Sequence, residues 1–286
     1  MIVIAFVHVA KTAGSTLKSL FRSAHGARHC DTVDLKTETI EEKRDGRILI
    51  KKYTPADVKT LLSLAPGTRS MGGHHLALWS DVEEVVPDVT YFLFLRDPIK
   101  RGASHFQYNH QRQDMTQFFG KKHLTWDEWV DWEVPHNHQV KMLSPNIQAD
   151  EAIRLLEKKR VFVGLMDRFD ESLLLFKRLF MPDLNISYLR KNTATDKSIA
   201  QEVLGNPKKV EQMKEMYDQE IPVHEYVLNE IYPRYVKEYG PGLAEDLARY
   251  QESGKKKVNH FNLLMYQMHK RLIFTPRYRK YMAKLR

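Results

Sequence analysis

Residues 1–21, MIVIAFVHVAKTAGSTLKSLF, hold a strand, a tight loop and a helix in that order. The apolar, β-branched run at residues 2–7 is continuous rather than alternating, as in a strand buried on both faces of a parallel sheet. It stops at the small-residue segment 11–16, after which Leu17, Leu20 and Phe21 fall at helical spacing. The pattern returns at residues 89–95 (VTYFLFL), closed by Arg96, Asp97 and Pro98. Pro98 suits a first helical turn, so residues 99–110 are expected to be helical.

Residues 161–165 read as a further strand, and residues 51–64, 150–159 and 172–180 as helices. Residues 126–132 form a short helix capped by Thr125, whose tryptophans at 126, 129 and 132 either pack one face or stack on a sugar. Residues 207–239 read as helical with interruptions at Pro222 and Pro233, and Gly240, Pro241 and Gly242 mark a break. The expectation is one α/β domain over residues 1–254, with a P-loop-like central parallel sheet flanked by helices. A basic helical tail over residues 255–286 extends it.

The composition narrows the function classes. Cys30 is the only cysteine, which excludes an internal disulfide and the cysteine-based zinc sites and points to a reducing compartment. The apolar run at residues 2–7 is too short to cross a bilayer and lacks the basic flank and cleavage site of a signal peptide, so a cytoplasmic location is expected. The net charge of +9 resides in the tail: residues 255–286 carry ten Lys or Arg and no acid, leaving the rest near neutrality. Nucleic acid is therefore not an expected partner of the main domain. Phe261, Leu264, Met265, Met268 and Leu272 recur at helical spacing in the tail, which either packs on the domain or contacts a membrane surface or polyanion.

Residues 8–17 (HVAKTAGSTL) lead from a strand end into a helix, an arrangement that aims backbone N–H groups and a positive helix end at an anion. Gly14 permits close backbone approach. The nucleotide-hydrolase pattern GxxxxGK[ST] is absent, because Lys11 precedes Gly14 and the hydroxyl pair Ser15 and Thr16. The plain alternative is a strand-to-helix turn capped by Ser15 or Thr16. The segment resembles the 5′-phosphosulfate loop of sulfotransferases that use 3′-phosphoadenosine 5′-phosphosulfate (PAPS), in the HxPKTAGT form of the carbohydrate, heparan-sulfate 2-O/6-O-like branch. It departs at Ala10, where proline is common. The resemblance implies that Lys11 contacts the 5′-phosphosulfate and its bridging oxygen, with Thr12, Ala13, Gly14, Ser15 and Thr16 surrounding the phosphate.

Residues 92–106 (FLFLRDPIKRGASHF) again place a basic residue at a strand end and a hydroxyl, Ser104, two helical turns later. Arginine's forked donors and a serine hydroxyl suit a terminal phosphate monoester. The plain alternative pairs Arg96 with Asp97 and leaves Ser104 on the helix surface. The segment resembles the 3′-phosphate site of the same family.

Sulfuryl transfer needs a base for the acceptor hydroxyl, and histidine serves near neutral pH. Residues 71–79 (MGGHHLALW) resemble the family's central histidine element. Alignment through Gly73 makes His75 the implied general base, with His74 as its substitute on the acceptor side. Residues 137–143 (NHQVKML) resemble the acceptor-side segment and imply contacts by Asn137, Gln139 and Lys141. Arg190 and Asn192 fall where the family brings a loop over the nucleotide. The implied reaction moves a sulfuryl group from PAPS to a hydroxyl of a carbohydrate or glycoconjugate, releases 3′,5′-adenosine bisphosphate and requires no metal. The rival readings are an ATP- and magnesium-dependent kinase or hydrolase, and a non-catalytic polyanion-binding protein.

Overall fold

The computed structural model describes all residues except 1, 36–39, 45–46, 112–122, 133–135, 190–195, 254–257 and 286. Residues 3–7 are fully buried as β1 (Val3–Val7), at the centre of a five-stranded all-parallel sheet. Its other strands are β2 (His29–Asp31), β5 (Ser70–Gly73), β6 (Val89–Leu95) and β7 (Val161–Leu165), in the order β2-β5-β1-β6-β7. β3 (Ile40–Arg44) and β4 (Arg47–Lys52) form a separate antiparallel pair. Helices α1 (Gly14–His25), α2 (Pro55–Leu64) and α3 (Pro98–Gln111) follow β1, β4 and β6. The protein is thus α/β, as the alternation of strands and helices implied.

Strands β1, β6 and β7 are buried along their whole lengths; Phe6, Phe92 and Phe162 lie in register across them, and Phe92 stacks on Phe162 and meets Phe6 and Phe176 edge-on. Such continuous apolar strands are what a sheet covered on both faces demands. β5 escapes that reading because its sequence is Ser-Met-Gly-Gly. Gly72 is needed there: a Cβ on it would lie 2.8 Å from the Cβ of Phe6 on the neighbouring strand.

Several sequence boundaries shift for identifiable reasons. The helix expected over residues 51–64 starts only at Pro55, because β4 runs to Lys52 and Thr54 and Asp57 form a reciprocal capping box. The expected start at Ser172 moves back to Phe169. Pro222 falls in the first turn of the helix Glu220–Tyr226 and does not interrupt it. Nor does Pro233 end its helix: the chain widens into a π turn over Val227–Ile231, where Tyr232 N–H reaches back five residues to Val227 C=O. That wider turn accommodates a ring with no N–H to donate. The same device, Lys270–Phe274, precedes Pro276.

The tail packs on the body. Helix His260–His269 runs beside α1 and the edge strand β2, and Thr275–Lys284 reaches the Leu64 and Asp34 carbonyls through Arg277 and Tyr278; Tyr266 and, in the turn between the helices, Phe274 are buried. Asn262 donates to the carbonyls of Ser23 and Ala24, and Tyr266 hydrogen-bonds Asp31 at the end of β2. Covering an edge strand in this way removes a template for unwanted pairing. No helix among the described residues is long and apolar enough to cross a membrane.

Candidate active site

Chain connections leave β1 toward β5 and β2, and leave β6 toward β7. The strand order therefore reverses between β1 and β6, and in open parallel sheets the crevice beyond the carboxyl ends of such a pair is where ligands bind. The loops at residues 8–13 and 96–97 form that crevice. Arg96 Nη1 donates to the Lys11 carbonyl at 3.4 Å, which brings the two phosphate segments read in the sequence into contact.

The first loop is shaped rather than extended. Lys11 and Ala13 hold positive φ values of 67° and 61°, a conformation that costs side-chain-bearing residues about 1 kcal/mol or more. Helix α1 then begins at Gly14 with no side-chain cap and no acid in its first turn, whereas α2 has a complete capping box. Ser15 and Thr16 lie inside the helix, so neither is its N-cap. Thr12 is buried, its hydroxyl donating to the Val9 carbonyl. Gly14 is required for a reason the sequence did not reveal: a Cβ there would lie 1.6 Å from Nε2 of His8, whose ring tucks under the first turn.

The pairing of Arg96 with Asp97 does not occur. Asp97 Oδ1 accepts from the Lys100 N–H at the start of α3, and Lys100 Nζ pairs with Asp167. Arg96 Nε is buried with no hydrogen-bond partner, a group whose desolvation is costly unless a ligand satisfies it. Burial lowers the Arg96 pKa below its ordinary value. Lys11 is pushed down to about 8, by burial first and by the Arg96 charge second. Its ammonium lies 4.3 Å from the ring centroid of Tyr108, a residue that sequence reasoning missed. Ser104 is partly exposed one turn before Tyr108, on the same side of α3.

Gln139, expected at the acceptor, has a different use. Its side chain is buried, accepting from Arg96 N at 3.0 Å and donating to Arg96 O at 2.9 Å and Glu220 Oε2 at 2.9 Å. Glu220, also missed, in turn forms a fully buried pair with Arg101 through two hydrogen bonds. This frame fixes the backbone that carries Arg96. Asn137 is likewise occupied, its Oδ1 accepting from the Gln219 and Glu220 N–H groups and its Nδ2 donating to Asp218. Lys141 is partly exposed, and its carbonyl accepts from Trp79 Nε1. Trp129 is buried with Phe106 and Tyr217, so the tryptophan helix packs a second core. Arg190 and Asn192 lie outside the described residues.

Truncating Glu220 to alanine strands the Arg101 charge in the interior and should lower unfolding free energy by about 3–5 kcal/mol. Replacing Lys100, whose pair with Asp167 is exposed, should cost under about 1 kcal/mol in the same urea titration. Equal effects would contradict the framing role of Glu220.

The two candidate histidines diverge. His75 stacks on Tyr53 with ring centroids 5.5 Å apart, and its carbonyl accepts from Tyr53 N–H. His74 stacks on His8 at 3.9 Å, and so is joined through His8 to Gly14 and the loop. The His8 ring thus links His74 to the crevice loop. Both residues of the pair, His74 and His75, lie in the turn that follows β5. His74 opens to solvent, yet partial loss of water and the charges of Lys18 and Lys52 lower its pKa to about 4. Burial and His74 hold His8 well below its usual value.

No protein-family model matches the chain, and no curated protein matches its sequence.

Proposed function

We propose that this chain transfers a sulfuryl group from PAPS to a hydroxyl of a carbohydrate or glycoconjugate. The observation that carries the reading is the meeting of Lys11 and Arg96 at the reversal of strand order, where a buried guanidinium nitrogen lacks a partner. Two phosphate-bearing ends need two separate cationic sites, and these lie on loops after adjacent strands. In this reading the loop at residues 11–16 is a phosphate loop of P-loop-like form, and Arg96 with Ser104 holds the 3′-phosphate.

The chain's own groups then have distinct roles. His74 accepts the proton of the acceptor hydroxyl as the new O–S bond forms in line with the bond that breaks. Lys11 faces the bridging oxygen, which departs with the electron pair on 3′,5′-adenosine bisphosphate. A histidine lowered to about 4 is neutral at pH 7 and able to take a proton, and a bound polyanion raises its pKa toward a more effective value. Gln139 positions Arg96 and does not touch the acceptor. The identity of the branch, and with it the carbohydrate acceptor, rests on the resemblance of residues 8–17 and 71–79.

Sulfur-labelled PAPS offered with a panel of glycosaminoglycan, glycolipid and small glycoside acceptors tests the reaction. Label should pass to an acceptor hydroxyl with stoichiometric release of the bisphosphate. Transfer of a phosphoryl group from ATP in its place would overturn the reading in favour of a kinase.

A further inference from the structure

The C-terminal helices present two opposite faces, of which the fold uses one. Asn262, Tyr266, Lys270, Phe274 and Tyr278 recur every four residues and touch the body, contacting Ser23, Asp31, the core and the Asp34 carbonyl. Phe261, Leu264, Met268 and Leu272, spaced by three, four and four residues, lie away from that line and are between 45% and 68% exposed. Large apolar side chains in a row are unusual on a free surface. Arg271, Arg279 and Lys280 are exposed beside and beyond them and form no ion pair among the described residues. Residues 258–285 contain six Lys or Arg and no Asp or Glu.

We infer that this outer face docks on an anionic lipid surface. The charge and the apolar row must be satisfied together, and that selects the occupant. A soluble polyanion answers the arginines and leaves Phe261, Leu264, Met268 and Leu272 in water. A second copy of the chain in a two-fold pairing brings like charges together. An anionic bilayer supplies phosphate and carboxylate headgroups for Arg271, Arg279 and Lys280, and a hydrocarbon boundary about 5–10 Å deep for the apolar row. The helices lie on such a surface and do not cross it. This placement is independent of the reaction proposed above, because no residue of the crevice takes part.

The test uses the full chain in flotation with phosphatidylcholine vesicles, with and without phosphatidylserine. Binding is expected only to the anionic vesicles. The triple variant Arg271→Glu, Arg279→Glu, Lys280→Glu should weaken partition on the order of a hundredfold. Leu264→Gln, Met268→Gln, Leu272→Gln should weaken it at least about tenfold. All six side chains are exposed, so circular dichroism and melting should match the unmodified chain. Equal binding to both vesicle types, no binding to either, or full binding by both variants overturns the proposal. Self-association abolished by the glutamine variant without vesicle binding assigns the face to a second copy. Heparin binding without vesicle binding assigns it to a soluble polyanion. Either result also overturns the lipid proposal.

Discussion

Replacing His74 with alanine is expected to lower turnover of sulfuryl transfer by roughly two to four orders of magnitude, the range for loss of a general base. The affinity for 3′,5′-adenosine bisphosphate should change little, since His74 meets the loop only through His8. His75→Ala, by contrast, removes a ring packed on Tyr53, so its effect should fall on stability more than on turnover. Comparing kcat and bisphosphate affinity for the two variants separates the roles. If His75→Ala abolishes turnover in a folded protein and His74→Ala does not, the assignment made from the contacts is wrong.

Lys11→Ala should reduce turnover by roughly two to three orders of magnitude, as expected when a group stabilising charge on the leaving oxygen is lost. It should also change how nucleotide binding depends on pH. In the free protein Lys11 is lowered to about 8 by burial and by Arg96, and the bound phosphates favour its charged form. Binding thus takes up a proton above pH 8, and bisphosphate affinity falls as pH rises through that value, by up to about tenfold per unit. Below pH 8 the lysine is already charged and the dependence flattens. Calorimetry across this range should show the alkaline decline in the unmodified chain and its loss in Lys11→Ala. An unchanged profile in the variant would remove Lys11 from the phosphate site.

The parts of the fold that were legible in the sequence are those in which burial constrains every position. β1, β6 and β7 are enclosed on both faces, so each reads as an unbroken apolar run, and the basic loops after β1 and β6 follow directly. β5 was not legible because close packing against Phe6 replaces side chains by glycine, erasing the strand signal. The same glycines precede the histidine pair, which lies in the turn after β5. With Gly72 and Gly73 before them, nothing in the sequence tells which of His74 and His75 faces the crevice.

Polar residues posed a different difficulty. Gln139 has the chemistry of an acceptor contact, and only its partners, the Arg96 backbone and Glu220, reveal a supporting role. Glu220 lies 119 residues from Arg101 in the chain, and Tyr266 lies 235 residues from Asp31; no local pattern announces such pairs. The periodicity of the tail did predict a helix with an apolar stripe. It did not show that a second face, led by Tyr266 and Phe274, packs on the body and leaves Phe261, Leu264, Met268 and Leu272 outward.

The proposed nucleotide carries a phosphate at each end and spans the loops that hold Lys11 and Arg96. Its most direct test is calorimetric binding of 3′,5′-adenosine bisphosphate and ATP to the unmodified chain and to Arg96→Ala. The bisphosphate should bind in strong preference to ATP, and Arg96→Ala should weaken it by about tenfold to a hundredfold through loss of charge-assisted hydrogen bonds. Preference for ATP, or bisphosphate binding indifferent to Arg96, would contradict the account.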